Sequence, residues 1–281
     1  MNAVPELTEN ELIELQLLLE AIHLKYGYDF RGYSLWSVGR RLTQFRVERG
    51  MRTFLDVAAA ALHDASFFHS LMPFFSVSVT SLFRDPAFYA TLREAVLPRL
   101  RSWPHVKVWH AGCATGEEVY SHAILLREAG LLPRCTLYAT DISQPALDTA
   151  KAGVYSLEVM RRGAANYHEA GGEGTLSDAY RARYDAAVMD GELRRRVTFA
   201  RHNLAMDSSF GEMQVIFCRN VLIYFSEALQ NKVLELFWES LDHGGFLCLG
   251  DKESLTFSSV ADRFEAVSET ARVYKKIVPR G

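Results

Sequence analysis

Between Val106 and Asp141 an apolar run rich in β-branched residues ends in a Gly-x-x-x-Gly turn. A helix-length segment then leads to a second apolar run that stops at an aspartate. The first run is Val106-Lys-Val-Trp-His-Ala, the turn is Gly112-Cys-Ala-Thr-Gly116, and the second run is Leu137-Tyr-Ala-Thr before Asp141. This is the pattern of one βαβ unit, and parallel strands joined in this way need helices over both faces of their sheet. Glycines permit positive φ and close approach of a ligand to the backbone. A carboxylate at the end of the second strand can receive the two hydroxyls of a ribose. The unit predicts an adenosine-bearing ligand.

The turn narrows the choice. A dinucleotide site uses G-x-G-x-x-G to seat a pyrophosphate on a helix N-terminus, but here Ala114 stands at the middle position and Glu117 and Glu118 follow at once. Two carboxylates oppose a pyrophosphate and suit a cation. S-adenosylmethionine carries a sulfonium and an α-amino group and no phosphate, so the acidic pair favours it. The plainer alternative is that both glutamates merely complement the helix dipole. For Asp141 the alternative is an N-cap, a role that Ser143 could fill instead.

Strands at 106–110, 136–140, 197–201, 214–218, 245–250 and 272–277 alternate with helices at 117–129, 145–152 and 227–241, implying a mostly parallel sheet covered on both faces. Residues 153–196, with Gly171-Gly-Glu-Gly174, exceed what a crossover needs and read as an insertion. Residues 1–75 show only helical spacing. Thr8 or Asn10 could cap a first helix with Leu12, Leu15, Leu19 and Ile22 on its apolar face. A second helix, 34–49, carries Leu35, Val38, Leu42 and Phe45, and a third is alanine-rich near 53–64. Residues 76–90 connect this helical domain to the α/β domain, 91–281.

The 281 residues are 49% hydrophobic and 23% charged with net charge −3, which gives no whole-chain case for nucleic acid or an anionic membrane. No apolar run reaches the length of a membrane span, and the N-terminus is acidic and lacks a signal-peptide core. Cys113, Cys135, Cys218 and Cys248 are scattered in or beside strands and read as buried apolar residues of a reducing cytosol. The histidines have no metal-ligand spacing.

Three further segments carry polar groups where ligands bind. The connector Ser78-Val-Thr80-Ser-Leu-Phe-Arg84-Asp-Pro86 offers hydroxyls and an arginine able to grip a carboxylate with two hydrogen bonds. Asn203-Leu204 follows one strand, and Cys218-Arg-Asn220-Val221-Leu-Ile-Tyr224-Phe225 follows another. Both lie at carboxyl ends of strands, the ligand-binding edge of open α/β sheets. Asparagine there can match the donor and acceptor of an adenine edge, although Asn203 could equally serve a turn. Leu222, Ile223 and Phe225 read as packing.

Together these segments resemble the CheR family of chemoreceptor protein-glutamate methyltransferases. The matching stretches are Val77–Pro86, Trp109–Ser121, Ala139–Ser143, Val197–Leu204 and Ile216–Phe225, and Phe-Cys-Arg-Asn-Val-Leu-Ile-Tyr-Phe is the most specific string. The resemblance implies a small all-α domain and a Rossmann-like class I methyltransferase domain with an inserted β-subdomain. It implies methyl transfer from S-adenosylmethionine, leaving S-adenosylhomocysteine, to glutamate γ-carboxylates on a receptor's cytoplasmic helices. By position, Ser78, Thr80, Arg84, Glu117, Asp141, Asn203, Leu204, Asn220 and Val221 would line the cofactor site, and Arg84 and Tyr224 would face the methyl-transfer centre. The chain departs from the pattern at Ser78, where asparagine is usual, and at Gly250-Asp-Lys-Glu-Ser254, where Gly-His-Ser-Glu-Ser is usual. Its insertion is also longer than expected.

A glutamate carboxylate is ionised at neutral pH, so the chemistry needs desolvation and in-line alignment rather than a dedicated base, and positioning of this kind can be worth roughly 7–11 kcal/mol. Between Arg31 and Arg52 six arginines (31, 40, 41, 46, 49 and 52) stand against one acid, Glu48, and on the second helix Arg40 lies opposite the apolar stripe with Arg41 and Arg46 flanking it. Such a helix would attract the acidic surface of a receptor bundle. The expectation is a cytoplasmic, monomeric enzyme without nucleic-acid, membrane or metal partners. Two rivals are a cofactor-binding regulatory module without catalysis and a methyltransferase acting on a small molecule or nucleic acid.

Overall fold

The computed structural model describes residues 7–75, 80–256 and 258–277. The chain divides into two compact units, residues 1–77 with 224–232, and residues 78–223 with 233–281.

In the first unit α1 (Glu9–Tyr26) starts at a capping box in which the Thr8 side chain and Glu11 satisfy each other's backbone N–H, and it stops at Gly27 in the left-handed region. α2 (Leu35–Glu48), α3 (Phe54–His63) and α4 (Ala65–Leu71) follow. The buried face of α1 is Leu15, Leu18, Leu19 and Ile22, while Leu12 is exposed. The seam is thus shifted along the helix relative to the sequence expectation, because α1 packs chiefly on α3. The ring of Phe30 stacks on Phe75 with centroids 4.0 Å apart.

The second unit is built on a seven-stranded sheet. Its helices α5 (Pro86–Thr91) and α6 (Leu97–Leu100) precede β1 (Val106–Ala111). Then come α7 (Glu117–Glu128), β2 (Cys135–Asp141), α8 (Gln144–Ala152), β3 (Val154–Ser156) and α9 (Leu157–Glu169). β4 (Tyr180–Arg183), β5 (Ala186–Met189), α10 (Gly191–Arg195), β6 (Val197–Arg201) and β7 (Met213–Cys218) follow. The chain ends with α11 (Glu227–Ser240), which begins in the first unit, and β8 (Leu241–Leu249), β9 (Phe264–Ser268) and β10 (Val273–Lys276).

The sheet order is β6-β2-β1-β7-β8-β10-β9. Pairing is parallel from β6 to β8, and β10 pairs antiparallel to β8 and β9. The β-branched and aliphatic residues of the central strands β1 and β7 are almost wholly buried, as a sheet covered on both faces requires. Both βαβ strands run to their expected ends. The chain turns back between β1 and β2 on one side and β7 on the other, which opens a crevice at the carboxyl edge.

The 153–196 segment is ordered. Its strands form a separate antiparallel sheet, β3-β5-β4, with α9 inserted after β3. No helix among the described residues is long and apolar enough to cross a membrane.

Candidate cofactor site

The turn after β1 has three residues with positive φ: Gly112 (80°), Ala114 (47°) and Gly116 (93°). The two glycines adopt this conformation freely, and Ala114 does so under strain of about 1–3 kcal/mol. The left-handed path points the Ala114 N–H at Asp141, whose Oδ2 accepts it at 2.9 Å. Asp141 Oδ1 accepts the Ser143 N–H at 2.8 Å, while the Ser143 hydroxyl caps α8 at Ala146. Ser143 thus takes the capping role, and Asp141 ties β2 to the glycine turn.

The carboxylate of Asp141 is nearly all buried, yet no cation pairs with it among the described residues, and burial raises its pKa against the backbone hydrogen bonds. An ionised carboxylate has about four acceptor positions, and its backbone donors do not fill all of them.

Glu117, in the first turn of α7, is likewise buried. It accepts from the Thr115 hydroxyl at 2.6 Å and has no cation beside it among the described residues, and burial raises its pKa. Glu118 differs. His110 Nδ1 lies 3.0 Å from its Oε1, and Arg219 Nη1 lies 3.5 Å from its Oε2. Burial works against its charge, but His110 and Arg219 outweigh that and hold its pKa below the usual value. The acidic pair expected from the sequence therefore splits. Glu118 is paired inside the protein, and Glu117 has no such cationic partner among the described residues.

The connector reaches the same edge. Ser121, one turn along α7, donates to the Glu117 carbonyl at 2.7 Å and accepts the Phe83 N–H at 2.9 Å, so Arg84 follows a residue bonded to the helix that carries Glu117. Asn166 of α9 donates to the Leu82 carbonyl at 3.0 Å. Tyr155 of β3 donates to the Thr115 carbonyl at 2.7 Å, bracing the glycine turn from the inserted sheet. Thr80 stands half-buried at the start of the described connector, and Ser78 lies outside the described residues.

Asn203 and Leu204 follow β6, whose Arg201 is in register with Asp141. The Asn203 side-chain oxygen accepts the Ala205 N–H at 3.0 Å, the turn contact that its position in the sequence also allowed. Leu204 is buried. Asn220 is left-handed (φ 61°), and the next residue, Val221, packs so closely on Gly112 that no Cβ fits there. Glu253 fixes this loop. Its Oε1 accepts the N–H groups of Val221 (2.8 Å) and Leu222 (2.7 Å), and its Oε2 accepts those of Asn220 (2.9 Å) and Gly250 (2.6 Å). The Gly250–Ser254 segment thus has a structural role despite its departure from the family pattern, and the Asp251 carboxylate accepts the Asn220 amide N–H at 3.4 Å.

Tyr224 belongs to the helical unit, where the Arg41 guanidinium lies 5.0 Å over its ring. Arg46, expected to flank a basic docking face, is held by Glu11 at 2.9 Å and the Arg52 carbonyl at 3.1 Å, so its charge is spent within the unit. Arg40 is exposed and lies over Trp36. Sequence reasoning missed Ser121, Tyr155, Asn166, Arg219 and Glu253, which position the site through contacts distant in the chain.

Two buried carboxylates with no cation beside them among the described residues, within one βαβ unit, fit a cationic adenosine ligand. The model of the CheR methyltransferase SAM binding domain matches residues 78–273. The chain belongs to the CheR methyltransferase family. Cher3 of Pseudomonas putida, named as a methyltransferase, is 50% identical over 267 residues, 95% of this chain and 98% of its own. The chemotaxis protein methyltransferase of Vibrio parahaemolyticus is 37% identical over 201 residues, 67% of this chain and 68% of its own. That of Listeria innocua is 29% identical over 231 residues, covering 82% and 85%. This CheR chain is a methyltransferase dependent on S-adenosylmethionine.

Proposed function

We propose that this CheR chain esterifies glutamate side chains on the cytoplasmic helices of a chemoreceptor. The observation that carries the proposal is the division of charge around the crevice. Glu117 and Asp141 are buried carboxylates with no cation beside them among the described residues, while Arg84 occupies the connector bonded through Phe83 and Ser121 to the Glu117 carbonyl. Acids suit the sulfonium and ammonium of the cofactor, and a guanidinium suits a carboxylate. The chemotaxis methyltransferases among the relatives support the same substrate class.

S-adenosylmethionine supplies an activated methyl group and its own leaving group. Asp141 would accept from the ribose hydroxyls, and Glu117 would meet the cofactor's positive charge. The Asn203 amide and the 219–222 loop would bound the adenine side with Leu204 and Val221, and Thr80 would complete the wall. Arg84 orients the substrate carboxylate and shields it from water. No base is required, because the attacking carboxylate is already ionised. Tyr224 is assigned to the transfer centre on the family resemblance.

Incubation with S-adenosylmethionine tritiated in the methyl group and a receptor cytoplasmic fragment tests the proposal. Label on the fragment that alkali releases as methanol supports it. Label that alkali does not release, or label on another substrate, would favour a different methyltransferase activity. Cofactor binding without transfer would favour a regulatory module.

A further inference from the structure

We infer that Arg219 is a positioning residue that fixes Arg84 for methyl transfer, acting through Asp85 and the Arg84 carbonyl. The inference rests on the assignment of Arg84 to the transfer site.

Arg84 lies between two residues in the left-handed region, Phe83 (φ 51°) and Asp85 (φ 60°). Neither is glycine, and a phenylalanine in this region persists only where its surroundings over-determine it. On the N-terminal side the surroundings are clear: Asn166 holds the Leu82 carbonyl, and Ser121 holds the Phe83 N–H. On the C-terminal side two hydrogen bonds come from one side chain. Arg219 Nη2 donates to Asp85 Oδ2 at 2.6 Å, and Nη1 donates to the Arg84 carbonyl at 3.4 Å.

The placement of Arg219 is costly and specific. Its side chain is 3% exposed, its guanidinium stacks 3.9 Å over the Phe88 ring, and Glu118 completes its charge balance. Asp85 stands at the N-cap of α5, where an aspartate would ordinarily bond a helix N–H, yet it makes no capping bond. Its carboxylate is committed to Arg219 instead. A lysine could not reproduce this, because one ammonium lacks the planar fork that reaches two acceptors while stacked on a ring.

The test is a double-mutant cycle on methyl transfer to the receptor fragment at saturating cofactor. Asp85→Ala keeps the buried charge of Arg219 and removes a half-exposed group, so it probes the tie without emptying the core. Asp85→Ala and Arg219→Lys should each lower kcat by on the order of ten- to a hundredfold, the range for misplacing a reactive group. In an Arg84→Ala background neither should cause a further loss. Equal losses in both backgrounds, or no loss in the parent, would overturn the inference. An Arg84→Ala enzyme with undiminished kcat would instead overturn the assignment of Arg84 itself.

Discussion

The Ala114 N–H donates to the Asp141 carboxylate across 2.9 Å, joining the glycine turn after β1 to the end of β2. One side chain therefore serves the scaffold at the place where the proposed function seats the ribose. Asp141→Ala should weaken S-adenosylhomocysteine binding by roughly ten- to a hundredfold, the equivalent of about 1.5–3 kcal/mol for hydrogen bonds to a charged group. Isothermal titration calorimetry measures this, and an unchanged Kd would remove Asp141 from the site.

Cofactor affinity should depend on pH through Glu117 and Asp141. Burial raises both carboxyls above their usual values in the free protein. A bound cation and bound hydroxyl donors favour the ionised forms, so the complex should hold fewer protons than the free protein. Affinity should then fall as pH drops from neutral through these raised values. Calorimetric Kd values across this range should show a weaker dependence for Glu117→Gln than for the parent.

Glu118 makes the opposite stability prediction. Its pKa in the folded chain lies below the ordinary 4.5, so its contribution to stability is present above that value and is lost as pH falls through the folded one. Glu118→Gln leaves Arg219 buried with Asp85 as its remaining acid. It should cost roughly 3 kcal/mol at neutral pH, the scale for breaking a buried ion pair from one side. Denaturant titration at neutral and acidic pH should show the variant's deficit shrinking in acid.

Glu253→Gln should loosen the 219–222 loop. Four N–H groups donate to the carboxylate, and an amide would turn an NH2 towards two of them. The expected loss is roughly 1–3 kcal/mol of stability, the scale of a buried donor left unpaired, together with weaker S-adenosylhomocysteine binding. Thermal unfolding with and without the ligand separates the two effects.

At Gly112 the positive φ and the contact with Val221 act together. Gly112→Ala should abolish measurable cofactor binding, because the added methyl pushes away a residue of the pocket wall and also strains the turn. Equilibrium dialysis with labelled S-adenosylmethionine would show this, and retained binding would contradict the assigned contact.

The glycine turn, Asp141 and the strand rhythm were legible because local spacing encodes them. The Leu12 assignment failed because periodicity defines a helix face only to within a residue or so, and the neighbouring α3 selects Leu18 instead. The two acids after Gly116 looked alike because nothing local says that His110 and Arg219 meet only one of them. The left-handed turns at Phe83 and Asp85 gave no signal, since neither carries the glycine that usually marks one. Glu253 reaches a loop more than thirty residues away, beyond any local pattern.

Mass spectrometry of the receptor cytoplasmic fragment after incubation with enzyme and S-adenosylmethionine tests the central claim most directly. The account predicts a mass increase of one methylene per modified site, mapped to glutamate side chains and reversed by mild alkali. An unmodified fragment in the presence of enzyme that binds the cofactor, or methyl groups mapped to any other residue type, would contradict it.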